Sequence, residues 1–114
     1  MDRAKAFYAE VVGAGFSAAP IAGEGPDAGM EMLFFDADDN AAGAPGALVR
    51  HPMRPPELHG TLVYFSVDDC AAAAARATAR GSRVYVGKQS IGEMGYIAIV
   101  GDSEGNSIGL HSWV

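Results

Sequence analysis

His111, Tyr64 and Ser66 are the residues of this chain best placed by type and spacing to do chemistry. An imidazole ordinarily titrates near ~6.5, so His111 can serve as acid, base or anion binder, or it can simply be solvated near the C-terminus. Tyr64 can donate its hydroxyl to a ligand oxygen or contribute packing, and Ser66 can do no more than make room. Strand side chains alternate between faces. A strand over Thr61–Val67 with Leu62 toward a cleft therefore turns Tyr64 and Ser66 the same way, and Val63, Phe65 and Val67 toward a helix. The last strand puts Ser107, Gly109 and His111 in the cleft and Ile108 and Leu110 in the core. Glu93 and Tyr96 flank a Gly-Glu-Met-Gly loop that can close over such a cleft, with Glu93 as a solvated loop charge the simpler reading. His51 and His59 sit in a proline-rich stretch and read as surface residues. Arg50 and Arg54 can hold an acidic ligand or offset the negative surface. Cys70 reads as a small core residue of an alanine helix, and Trp113 as a pocket wall or a subunit contact.

These residues belong to a chain that repeats itself at an offset of 66: Asp2/Asp68, Gly15/Gly81, Gly29/Gly95, Asp36/Asp102, Asn40/Asn106 and Gly43/Gly109 match. A fixed offset held by turn-type residues means one supersecondary unit used twice, and clefts between such units bind small ligands. In the second copy the strand Thr61–Val67 is followed by an Asp68 cap and a helix over Asp69–Arg80, stopped at Gly81. Strands at Arg83–Val86, Tyr96–Val100 and Ser107–Trp113 follow, the last two joined by the tight turn Asp102–Asn106, with Gly105 and Asn106 suited to positive φ. In the first copy Asp2 caps a helix over Arg3–Val12, with Phe7 and Val11 on one face. A weak strand at Phe16–Ile21, a loop at Ala22–Gly29, a strand at Met30–Phe35, a turn at Asp36–Asn40 and a fourth element at Gly46–Arg50 complete it. No counterpart of Thr61–Val67 precedes Asp2. The organisation is thus residues 1–50 as α-β-β-β, 51–60 as a linker with three prolines, and 61–114 as β-α-β-β-β.

At 114 residues the chain makes one small domain, and 49% hydrophobic content suffices for a core. A net charge of −6 argues against nucleic acid, which requires clustered Lys and Arg. No basic amphipathic helix or apolar run near ~20 residues points to a membrane. The lone cysteine and the lack of a charged-then-apolar leader fit a cytoplasmic protein. No phosphate loop, dinucleotide fingerprint, nucleophile elbow or HExxH is present.

The order and spacing of D-R-A-K-A-F-Y at Asp2–Tyr8, Y-F-S-V-D-D at Tyr64–Asp69, G-E-M-G-Y-I-A at Gly92–Ala98 and D-S-E-G-N-S-I-G-L-H-S at Asp102–Ser112 resemble the vicinal oxygen chelate superfamily, the glyoxalase/bleomycin-resistance/dioxygenase group, in its uncharacterised lactoylglutathione-lyase-related branch. The resemblance implies an α+β fold, with paired βαβββ modules forming a U-shaped mixed sheet around a cleft and the first strand of module 1 absent, and it implies a homodimer. Metal-using members draw ligands from the first and last strands of each module. Here those positions fall on Leu62 and Gly109, which carry no donor, and Gly46–Arg50 offers no carboxylate or imidazole. The expectation is a metal-independent, cofactor-free protein that binds a small organic molecule through Leu62, Tyr64, Ser66, Glu93, Tyr96, Ser107 and Gly109, with acid–base chemistry at His111 if it is catalytic. Lyase, isomerase or dioxygenase chemistry with a metal, and antibiotic sequestration, are the alternatives.

Overall fold

Spacing along the two helices sets the core. In the computed structural model, which describes residues 1–18, 29–38 and 40–114, helix α1 spans Asp2–Val12 and helix α2 spans Cys70–Ala79. The buried positions of α1 are Ala4, Phe7, Tyr8 and Val11, and those of α2 are Cys70, Ala73, Ala74 and Ala77. Both sets step by three, one and three residues, the stripe one helix face can bury. They match one another at the offset of 66. The α1 residues are bulky where those of α2 are small, so the two faces interdigitate with each other and with Ala98, Val100, Ile108 and Leu110 in one cluster. Arg76 of α2 ties the pair by donating to the backbone carbonyls of Glu10 (3.0 Å) and Val11 (2.9 Å), groups at the C-terminal end of α1 that its own hydrogen bonds leave open.

The caps differ from expectation. Asp2 lies inside α1, whose N-cap is Met1 with no side-chain bond. Asp69, one residue beyond the expected Asp68, caps α2 by accepting from the Ala71 amide at 2.9 Å. Asp69 has the extended backbone a cap needs, and Lys88 and that amide hold its carboxyl below the usual range.

The strands form two sheets. One has the order β1-β2-β3, with β1 at Phe16–Ala18, β2 at Glu31–Phe35 and β3 at Ala47–Arg50, all antiparallel. The other has the order β4-β7-β6-β5, with β4 at Tyr64–Ser66, β5 at Val84–Ser90, β6 at Tyr96–Gly101 and β7 at Ser107–Ser112. Strand β4 runs parallel to β7, so α2 is the crossover. Strand β5 runs four residues beyond the expected Val86, passing two irregularities in its register with β6, the kind of kink that lets an edge strand continue. The expected strand end at 19–21, the loop at 22–28 and residue 39 of the turn lie outside the described residues. Asn106 does not take positive φ; Gly105, at φ 94°, does.

The repeat holds through β2 and β6 and then slips. Residues 102–106 join β6 to β7, whereas 36–46 join β2 to β3. Gly109 therefore lies within β7 while its partner in the repeat, Gly43, lies in the longer connection. Glu31 is on the central strand of its sheet, where its carboxylate accepts from Arg50 at 2.8 Å across the β2–β3 pair. Among the described residues no helix is long and apolar enough to cross a membrane.

Candidate functional site

Among the described residues each sheet ends in a strand with a free edge, β3 in one and β4 in the other. On β4, the Val63 carbonyl and the Val67 amide bond to β7 (2.9 Å each), so the alternate residues Tyr64 and Ser66 turn their backbone groups outward. On β3, Gly46 bonds Phe35 (3.0 Å), and the same alternation turns out Ala47 and Val49. A cavity of about 760 Å³ lies along these edges. Its wall includes Tyr64 and Ser66 from one face of β4 and Val63 and Phe65 from the other, an arrangement open only to space that wraps the strand's edge. Phe35, Ala47, Leu48 and Ile108 complete its apolar side, and Ser107, Asn106 and Thr61 its polar side. Four aromatic rings (Tyr8, Phe35, Tyr64 and Phe65) face it, and among the described residues no charged side chain does.

Tyr64 is fixed by what lies beneath it. It is paired with Gly109 across β4 and β7. A Cβ at Gly109 would stand 2.3 Å from Tyr64 Cδ1, so the ring occupies the space a side chain there would need. Ser107 donates to the Leu58 carbonyl at 2.7 Å, holding the 51–60 segment against the site. Tyr64, Ser66 and Ser107 thus meet at one cavity, with Gly109 as the floor under Tyr64.

The other expected residues lie elsewhere. His111 shares the Ser66 register position, yet its Nε2 is 2.6 Å from the Met94 carbonyl and its ring stands edge-on to Trp113 at 4.9 Å. It anchors the Gly92–Met94 turn. Glu93 is exposed on that turn, and Tyr96 packs under the Lys88 ammonium at 4.8 Å. Leu62 is half-buried and does not line the cavity. Val63, expected under the helix, is 53% exposed, because it sits beyond the end of β4 on the open edge. Cys70 is fully buried, its amide donating to Ser112 at 2.9 Å.

The residue sequence reasoning passed over is Tyr8. Its hydroxyl donates to Asp102 at 2.7 Å, and burial followed by that carboxylate pushes its pKa far above that of an ordinary phenol. Asp102 is itself buried and accepts further bonds from the Glu104 amide (2.8 Å), the Asn106 amide (2.9 Å) and Asn106 Nδ2 (2.7 Å). The signal was available: Tyr8 falls on the Ala4/Phe7/Val11 stripe, and a tyrosine there needs a buried partner for its hydroxyl.

The positions that metal-using members draw on supply no donor among these residues. The Tyr64 ring fills the place of a side chain at Gly109, Leu62 has no donor, and among the described residues no group of three or more His, Cys, Asp or Glu could hold an ion.

Comparison with known proteins agrees with this architecture. The chain is 35% identical over 104 residues to the protein named "Putative glyoxylase CFP32" of Mycobacterium bovis and of Mycobacterium tuberculosis; the match takes in 91% of the chain but 36% of those relatives. Among solved structures, a glyoxylase/bleomycin resistance protein/dioxygenase domain from Frankia sp. EAN1pec superposes with TM-score 0.68 at 15% identity, over 98% of this chain and 87% of that one. TnmS3, an antibiotic binding protein from Streptomyces sp. CB03234, superposes with TM-score 0.61 at 32% identity, over 97% of this chain and 84% of that one. The sequence pattern of one family matches residues 1–110, and the chain belongs to that family, the Glyoxalase/Bleomycin resistance protein/Dioxygenase superfamily.

Proposed function

We propose that the chain binds a small organic molecule in the cavity between the free edges of β3 and β4, and holds it without a metal and without turning it over. The carrying observation is the character of that cavity: about 760 Å³, four aromatic rings and no charged wall among the described residues. Such a wall stacks a planar apolar body, while outward backbone groups and the Ser66 and Ser107 hydroxyls supply orientation. Among the described residues its wall pairs no nucleophile with a base. His111, the one candidate acid or base named from sequence, is engaged with Met94. The 32% identity to an antibiotic binding protein supports sequestration over chemistry.

The test is a thermal-shift panel of polycyclic aromatic antibiotics and simple aldehydes on the whole chain and on Tyr64→Ala. Aromatic polycycles are expected to raise the melting temperature saturably, and Tyr64→Ala to weaken them about fivefold, the size of one stacking contact. Turnover of any aldehyde, or stoichiometric metal in protein purified without chelator, would overturn the reading. The proposed unit is a homodimer, for which Met94 and Trp113, 61% and 66% exposed either side of His111, offer apolar surface. Light scattering on the same samples should give twice the 11.8 kDa chain mass; the mass of a single chain would remove the dimer from the proposal.

A further inference from the structure

We infer that the bound molecule carries one anionic group on its aromatic body, and that Arg54 receives it. This rests on the binding reading above and names the ligand class for the same site. A second cavity, of about 410 Å³, meets the first at Tyr8, Leu48 and Asn106. Its character is opposite. Three of the chain's eight Lys and Arg residues line it: Arg3, Arg50 and Arg54. Against them stand Asp102 and Glu104, so the wall carries three positive and two negative charges in a chain of net −6.

The distribution of partners singles out Arg54. Arg3 places two nitrogens on Glu104, at 2.6 and 2.8 Å, a two-pronged pair that holds the Glu104 carboxyl below its ordinary range. Arg50 is held by Glu31. Asp102 is occupied by the four donors described above, so its charge is not turned toward Arg54. Arg54 makes no ion pair among the described residues, although it lines the cavity. A planar guanidinium without an ion-pair partner among the described residues, in the cavity that adjoins the aromatic one, suits a carboxylate or an acid of similar shape. The two lobes read together as a site for an aromatic acid: rings against Tyr64 and Phe65, anion toward Arg54.

The experiment compares anthracene-9-carboxylate with 9-anthracenemethanol, which keeps the rings and replaces the charge, by fluorescence titration of the full chain and of Arg54→Gln. The acid is expected to bind about fivefold more tightly than the alcohol at low salt, the scale of a partly exposed charge-assisted pair. That advantage should vanish in Arg54→Gln and fade as salt screens the pair, while the alcohol is unaffected by either. Equal binding of acid and alcohol, or an advantage that survives Arg54→Gln, overturns the charge assignment and leaves the aromatic cavity standing. Failure of both probes to bind overturns the inference and the cavity reading together.

Discussion

The two halves of this molecule use the same helix stripe to opposite ends. Ala4, Phe7, Tyr8 and Val11 in α1 correspond to Cys70, Ala73, Ala74 and Ala77 in α2. Small residues let α2 lie close on its four-stranded sheet, whose β6 and β7 contribute Ala98, Val100, Ile108 and Leu110 to the core. In the first half no residue of β1, β2 or β3 is fully buried, and only Phe16, Phe35 and Leu48 pack at the margin of that core. A repeat can therefore keep its buried helix positions while its two copies bury different amounts of their sheets.

The largest expected effect tests whether stability resides in the second half. Leu110→Ala, at a fully buried position, should cost about 2–5 kcal/mol, the transfer loss plus a cavity the packed neighbours cannot close. Leu33→Ala, half-buried on β2, should cost about 1 kcal/mol. Urea unfolding of both variants checks the contrast, and equal costs would mean that the first sheet carries as much of the fold as the second.

Two glycines sharpen the same contrast at the level of turns. Gly95 and Gly43 both take positive φ, 96° and 129°. A Cβ at Gly95 would stand 2.5 Å from the Ser112 carbonyl oxygen, whereas at Gly43 nothing lies within 4 Å. Gly43→Ala should cost only the backbone penalty, about 1–2 kcal/mol. Gly95→Ala adds a backbone clash and should cost about 3 kcal/mol or more. Melting curves that put Gly43→Ala at or above Gly95→Ala would show that the first-half connection is as tightly packed as the Gly92–Met94 turn.

Much of this was legible in the chain. Alanine content marked α2, β-branched and aromatic runs marked β4, β6 and β7, and alternation placed Tyr64, Ser66 and Ser107 on one face. Edges were less legible. Alternation says which face a side chain takes but not which strand lacks a neighbour, so a cavity wrapping both faces of β4 has no one-strand signature. His111 has the right face, yet its ring went to a carbonyl of a turn that sequence reading made a lid. The slip of the repeat after β6 was hidden because Gly43/Gly109 matches by type alone. Tyr8 was passed over because its partner lies 94 residues away.

That partnership gives the smallest effect, and the one most specific to the junction of the two halves. Tyr8→Phe keeps the ring and removes one donor from Asp102, which retains three, so the cost near neutral pH should be about 1 kcal/mol. Its pH dependence is the sharper readout. Folding raises the Tyr8 pKa above the unfolded value near 10, so the contribution is complete below that pH. Above it the unfolded chain releases the proton and the folded one keeps it; the unfolded state then binds fewer protons, and stability falls as pH rises. Unfolding free energies measured between pH 8 and about 11 should decline more steeply for the natural chain than for Tyr8→Phe. Parallel slopes would mean that the phenol ionises as freely folded as unfolded, and the Tyr8–Asp102 bond would then not be what joins α1 to the turn after β6.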